Sequence, residues 1–204
     1  MLRKRNNFMK KIDFSRFRLK KVDVHELDDR MLLLNLYITQ FVVLLIAGII
    51  FLFQKPDFKA MFSFQPGTQI FIWGLGFALI VLALELLLSR WVPEETTDDG
   101  GINEKLFARR PLWHIAWISL LVSICEELLF RGAIQAAWGP YWTSILFAAI
   151  HVRYLRHWLM TGLVFSISYG LGWIYLRTGS LWTPIAAHFA IDFVMGCILR
   201  YRRE

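Results

Sequence analysis

Cys125-Glu126-Glu127-Leu128-Leu129-Phe130-Arg131 places two adjacent carboxylates and an arginine inside a run of apolar residues long enough to lie in lipid. A charged side chain near the centre of a bilayer costs roughly 2.5–3.5 kcal/mol even on lenient insertion scales, so an intramembrane acid is a functional candidate by default. Helical spacing separates the two acids. Glu127 and Arg131 are four positions apart and share a face, so they can pair, whereas Glu126 points about 100° away, with Phe130 as its neighbour. A solvated helix end is the plainest alternative for such a cluster, and the sequence downstream argues against it.

Outward from this stretch, composition sets the class. The chain has 204 residues, of which 56% are hydrophobic, 16% aromatic and 19% charged, and the apolar residues come in long blocks. Such blocks indicate an all-α, polytopic membrane helix bundle rather than a soluble domain. Six spans are expected, at about 31–53, 69–89, 112–137, 140–156, 158–176 and 181–199. Lys55-Pro56, Gly100-Gly101, Gly139-Pro140 and Gly179-Ser180 punctuate the connections. The fourth is short in apolar residues, because Tyr141 to Ile150 can cross only if Arg153 and Arg156 mark the interface. Cys125 and Cys197 both lie in apolar blocks, which excludes a disulfide framework and leaves them as packing residues.

Residues 1–30 hold ten of the 23 Lys and Arg, together with five acids. This basic tail stops directly at a span and carries no nucleic-acid reading module, so it is read as a cytoplasmic juxtamembrane segment facing anionic lipid, with no nucleic-acid partner. The first apolar run is too long for a signal-peptide core and lacks a small-residue cleavage site. With the N-terminus inside, 19 Lys and Arg fall on the inner side and four on the outer. A multi-pass protein of the cell membrane with both termini cytoplasmic is therefore expected, residues 31–204 forming its transmembrane domain. Trp91, Trp113, Trp138, Trp158 and Trp182 sit near span ends, where an interfacial belt would put them. Gly162, Ser166 and Gly170 recur every four residues and should give the fifth span a smooth packing face, as Gly74 and Ala78 should in the second. Glu85, near the inner end of the second span, is read as reaching the interface or the surroundings of Arg90.

Polar residues in the later spans carry the chemistry. His151 follows Phe147 by four positions and Asp192 follows His188 by four, so Asp192 lies one turn along the same face and can orient His188. Depth gives an independent check. At ~1.5 Å per residue in a ~30 Å core, Glu126 and His188 lie roughly 10 Å from the outer face and His151 roughly 16 Å, so groups on three helices reach similar heights. His25, His114 and His157 have no comparable partners.

Glu126-Glu127-x-x-x-Arg131, Phe147-x-x-x-His151 and His188-x-x-x-Asp192 resemble, in order, the three motifs of the CAAX protease and bacteriocin-processing family, over about residues 112–199. That family includes type II CAAX prenyl endopeptidases and immunity-type bacterial proteins. Its third motif ends in Asn or Asp; this chain has Asp. The resemblance implies an intramembrane endopeptidase, of metalloendopeptidase type if a divalent ion such as zinc is present, acting on a peptide or membrane-protein substrate. Glu126 would activate water, His151 and His188 would position water or metal, Asp192 would tune His188, and Glu127 with Arg131 would brace the helix. A glutamate held away from bulk water suits general-base work, and the zincin His-Glu-x-x-His pattern is absent, so a metal is not demanded. Two other classes fit the same residues: a non-catalytic binding or immunity-type protein using the same cavity, and an ion or proton transporter. The lack of an inverted repeat or of paired broken helices counts against transport.

Overall fold

A computed structural model of the protein describes residues 28–63, 69–93 and 101–201. Most of the basic tail, with His25, the acidic connection Glu94 to Asp99, and Arg202 and Arg203 lie outside these described residues. Regular structure among the described residues is entirely helical, as the apolar blocks require.

Helix α1 (Asp29–Gln54) starts where the Asp28 side chain accepts from the Arg30 amide, and ends at Lys55 in a left-handed conformation just before Pro56. A short α2 (Phe58–Met61) follows. Helix α3 (Ile70–Trp91) winds as a π-helix over its first turn and a half, Ile70–Leu75. After the short α4 (Ile102–Phe107), α5 (Leu112–Glu127) leads into a π-helical stretch, Leu128–Ile134, and then into α6 (Gln135–Ile150). Helix α7 (Trp158–Thr178) ends on Gly179 at φ 65°, and α8 (Trp182–Tyr201) closes the bundle.

Polar contacts between helix ends define two faces of the bundle. At one end Tyr37 Oη meets His114 Nε2 at 3.2 Å, Asn103 Nδ2 donates to Tyr154 Oη at 3.0 Å, and Arg200 donates to the Arg110 carbonyl. At the other, Gln54 Nε2 donates to the Ala133 carbonyl at 3.0 Å, the Leu181 amide to Met61 at 2.9 Å, and Ser180 Oγ to Ser63 at 2.8 Å. Helices α1 and α5 therefore run in parallel and α8 returns, so the two described ends of the chain, Asp28 and Tyr201, share a face. Trp91, Trp113, Trp138, Trp158 and Trp182 are all exposed, as an interfacial belt requires.

Among the described residues five helical segments are long and apolar enough to cross a membrane, and one of them, Leu112–Ile150, is 39 residues long. It does not run straight. Gly139 sits at φ 69°, ψ 170°, backbone territory essentially reserved for glycine, and Pro140 follows. The Phe130 and Phe147 rings lie 4.8 Å apart, although a straight helix would separate these positions by about 25 Å, so the chain doubles back at Gly139. The returning helix corrects the expected fourth span. It stops at Ile150 after rising about 16 Å, and the turns over residues 152–156 carry the chain on to Tyr154 at the first face. His151 is thereby left at a helix end inside the protein, where a full crossing to 156 would have put it in mid-helix.

Small residues allow the close approaches, though not all of those expected. A Cβ on Gly74 would stand 3.0 Å from the Thr183 carbonyl oxygen, and Ala78 and Val81 pack on Ile191, which fixes α3 against α8. A Cβ on Gly170 would strike the Phe77 ring at 2.4 Å. Gly162 meets nothing within 4 Å, and exposed Ser166 bonds back to the Gly162 carbonyl at 2.7 Å, so the four-residue stripe is a packing face only at its Gly170 end. Cys125 is buried against Leu129 and Phe130, and both cysteines are free.

Candidate active site

Glu126 and Glu127 are the last α-helical residues before the π-helical stretch, a local widening that often accompanies functional sites. Glu127 is completely buried and uses both carboxylate oxygens. Oε2 accepts from Arg131 Nε at 3.0 Å, and Oε1 faces His188 Nδ1 at 2.9 Å. Arg131, equally buried, donates from Nη2 to Ser168 Oγ at 2.9 Å and lies 5.8 Å from the centroid of the Phe147 ring. The pair expected from i, i+4 spacing thus exists, and it extends to α7 through Ser168 and to α8 through His188.

A carboxylate oxygen can only accept, so His188 Nδ1 carries a proton and its Nε2 is turned the other way. There it faces Asp192 Oδ2 at 3.5 Å and Glu126 Oε2 at 4.0 Å, distances of electrostatic contact rather than of short hydrogen bonds. Asp192 was expected to orient His188, but the short bond that fixes the ring comes from Glu127. Only one-third of the Asp192 side chain is exposed, and Glu85 of α3 lies close enough to interact with it electrostatically. Glu85 Oε2 is buried without a hydrogen-bond partner among the described residues, so this residue turns into the bundle instead of reaching the interface.

His151 stands one ring away. It caps α6, its Nδ1 donates to the Phe147 carbonyl at 2.7 Å, and its ring lies 4.5 Å from the Phe147 ring, which in turn lies 6.5 Å from His188. The fold therefore brings Glu126, Glu127, Arg131, His188 and Asp192 into one chain of contacts and sets His151 behind Phe147. Sequence spacing missed Ser168, which accepts from Arg131, and Gln40 of α1, whose buried side chain lies close to Glu126. Both are polar residues well inside lipid-length helices, which was the signal available for finding them.

His151 and His188 were the expected metal ligands, and each has its Nδ1 proton committed to an acceptor, which leaves Nε2 as the atom that would coordinate, although in His188 that atom faces Asp192 at 3.5 Å and Glu126 at 4.0 Å. Among the described residues, however, no three His, Cys, Asp or Glu side chains converge closely enough to hold an ion. The donor types suit zinc but their spacing does not form a closed site, so no step below is routed through a metal.

The helical bundle thus holds an acid pair, an arginine, a histidine and an aspartate in one buried cluster, with a second histidine nearby. Residues 108–194 match the family model described as type II CAAX prenyl endopeptidase Rce1-like. The chain is also 39% identical to the uncharacterized protein YpbD of Bacillus subtilis (strain 168), over 76% of its own length and 82% of that protein's. No solved structure matches. The chain belongs to the Rce1-like family of CAAX-type membrane proteases.

Proposed function

We propose that this protein is an intramembrane endopeptidase of CAAX type, which hydrolyses a peptide bond with water activated by Glu126. The observation that carries the reading is the contact of Glu126 Oε2 with His188 Nε2 at 4.0 Å, inside a cluster whose geometry Glu127 and Arg131 fix from behind. Glu126 takes a proton from water as the water oxygen bonds to the scissile carbonyl carbon and the C=O electron pair moves onto oxygen. His188, protonated on both nitrogens, donates from Nε2 to that oxyanion while Glu127 holds its Nδ1 proton. The oxyanion then re-forms the carbonyl, the C–N bond breaks, and the departing nitrogen takes the proton from Glu126. His151, its Nδ1 committed to the Phe147 carbonyl, helps to position the water from the neighbouring helix end.

The substrate proposed is a peptide or membrane protein ending in Cys-aliphatic-aliphatic-X, with or without a prenyl group. The protein is proposed to lie in the cell membrane with the face shared by Asp28 and Tyr201 in the cytoplasm, as the 19-to-four distribution of basic residues favours. The test is cleavage of farnesylated and unprenylated peptides of this type by purified protein in detergent, followed by treatment with a chelator. Cleavage that survives chelation is expected from direct Glu–His activation. Loss on chelation with recovery on added Zn²⁺ would show instead that His151 and His188 close on an ion.

Asp192 should behave as a tuner of His188. Its Oδ2 lies 3.5 Å from Nε2, and an amide oxygen at the same place still accepts, so Asp192→Asn should keep cleavage within about tenfold of the parent while Asp192→Ala loses about 10- to 100-fold. Equal losses in the two variants would mean that the negative charge itself is required.

A further inference from the structure

Helix α1 is largely turned outward: of its 26 residues only Gln40, Val43 and Ala47 are buried. Their spacing of three and seven puts them on one stripe. Val43 and Ala47 do what such a stripe ordinarily does, packing on Cys125, Leu129, Phe130 and Phe147. Gln40 is the polar member, 6% exposed, one turn before Val43, which packs in the cluster of Cys125 beside Glu126, so its side chain lies close to that carboxylate. Because a carboxylate accepts and does not donate, the amide offers Nε2–H, which turns Oε1 elsewhere. That oxygen is buried and has no hydrogen-bond partner among the described residues. An apolar side chain would serve the packing of this stripe better than an amide with an orphaned acceptor. The acceptor beside the proposed base is thus open to a donor from outside the described residues.

We propose that Gln40 Oε1 binds the attacking water, accepting one of its protons while Glu126 accepts the other. Water held through both hydrogens has its oxygen lone pairs directed away from the two acceptors, toward the carbonyl carbon it attacks, and the Gln40 N–H keeps the Glu126 carboxylate from rotating out of line. Only the Glu126-bound proton is transferred, while the second stays on the new oxygen, so Gln40 finishes the step unchanged. Gln40 lies far outside residues 108–194, the part of the chain that matches the family model, so the first helix supplies a group to a site whose other members come from that core. The assignment rests on the peptidase reading above.

The experiment measures cleavage of a farnesylated peptide ending in Cys-aliphatic-aliphatic-X by the full chain in detergent, for Gln40→Met, Glu126→Gln and the double variant, with a thermal melt of each. Gln40→Met should lower kcat by about 10- to 100-fold, leave KM within about twofold and leave the melting temperature unchanged, as expected when a nucleophile is misplaced without loss of fold. In the Glu126→Gln background the same change should have no further effect, because the water it positions no longer has its base. Gln40→Leu replaces the methionine variant should that one not fold. A rise in KM with kcat unchanged would assign Oε1 to a substrate N–H and overturn the proposal, as would losses that multiply in the double variant. Wild-type kinetics in Gln40→Met beside an inactive Glu126→Gln would remove Gln40 alone from the mechanism. Wild-type kinetics in both would remove the peptidase reading with it.

Discussion

Glu126→Gln should fold normally and lose about 10²-fold or more in turnover, the usual contribution of a positioned general base. Two features of the site produce this combination. Glu126 is within 4.0 Å of His188 Nε2 but makes no bond to the buried guanidinium, which is held by Glu127, so removing the Glu126 charge leaves Arg131 paired. An amide at this position also keeps the shape of the side chain and removes a partly desolvated charge, so the melting temperature should stay level or rise. What is lost is the ability to take a proton from water. Melting curves and cleavage rates for both proteins in the same detergent would check this. An active Glu126→Gln protein would end the assignment of Glu126 as base, and a variant that melts far below the parent would show that Glu126 bears structural weight that its contacts do not suggest.

Local spacing made much of this site legible, and long-range contacts account for what it did not. Glu127 with Arg131 and His188 with Asp192 could be paired by counting four residues along a helix, and both pairs are in contact. The 2.9 Å contact between Glu127 and His188 joins positions 61 apart on different helices, and no periodicity in one sequence reports it. The brace read from the sequence is therefore only part of what Glu127 does. The end of the fourth span was missed for a related reason, while the other spans fall where the apolar blocks put them. The reversal at Gly139-Pro140 could be read from the sequence, but hydropathy sees residues 140–156 as one block with arginines near its end, and the helix of about 16 Å that stops at Ile150 and gives way to turns is a backbone event that no apolar pattern marks. The Gly162, Ser166 and Gly170 stripe shows the limit of small-residue patterns: the spacing is right, but a neighbouring helix meets it only at Gly170.

Removing Glu127 should have the largest effect on the protein as a whole, and a compensating substitution separates its two tasks. Glu127 and Arg131 are both fully buried, so Glu127→Gln leaves a guanidinium without its counter-charge in a place that water does not reach. Breaking one side of such a pair costs roughly 3–5 kcal/mol, which a melting curve would show plainly. Replacing both members with neutral side chains, as in Glu127→Gln with Arg131→Met, removes the stranded charge, and substitutions of that kind are often neutral or stabilising. The double variant should therefore regain most of the stability lost by the single one. Cleavage should not return with it. His188 Nδ1 would face an amide in place of a carboxylate, the imidazolium would lose its charged acceptor, and Nε2 would no longer be held toward Glu126, so a loss of about 10- to 100-fold should persist in the stable protein. Recovery of wild-type turnover together with stability would reduce Glu127 to the helix brace that its spacing from Arg131 first suggested. A double variant that stays unstable would mean that the contacts of Arg131 with Ser168 and Phe147 matter more to the fold than its charge does.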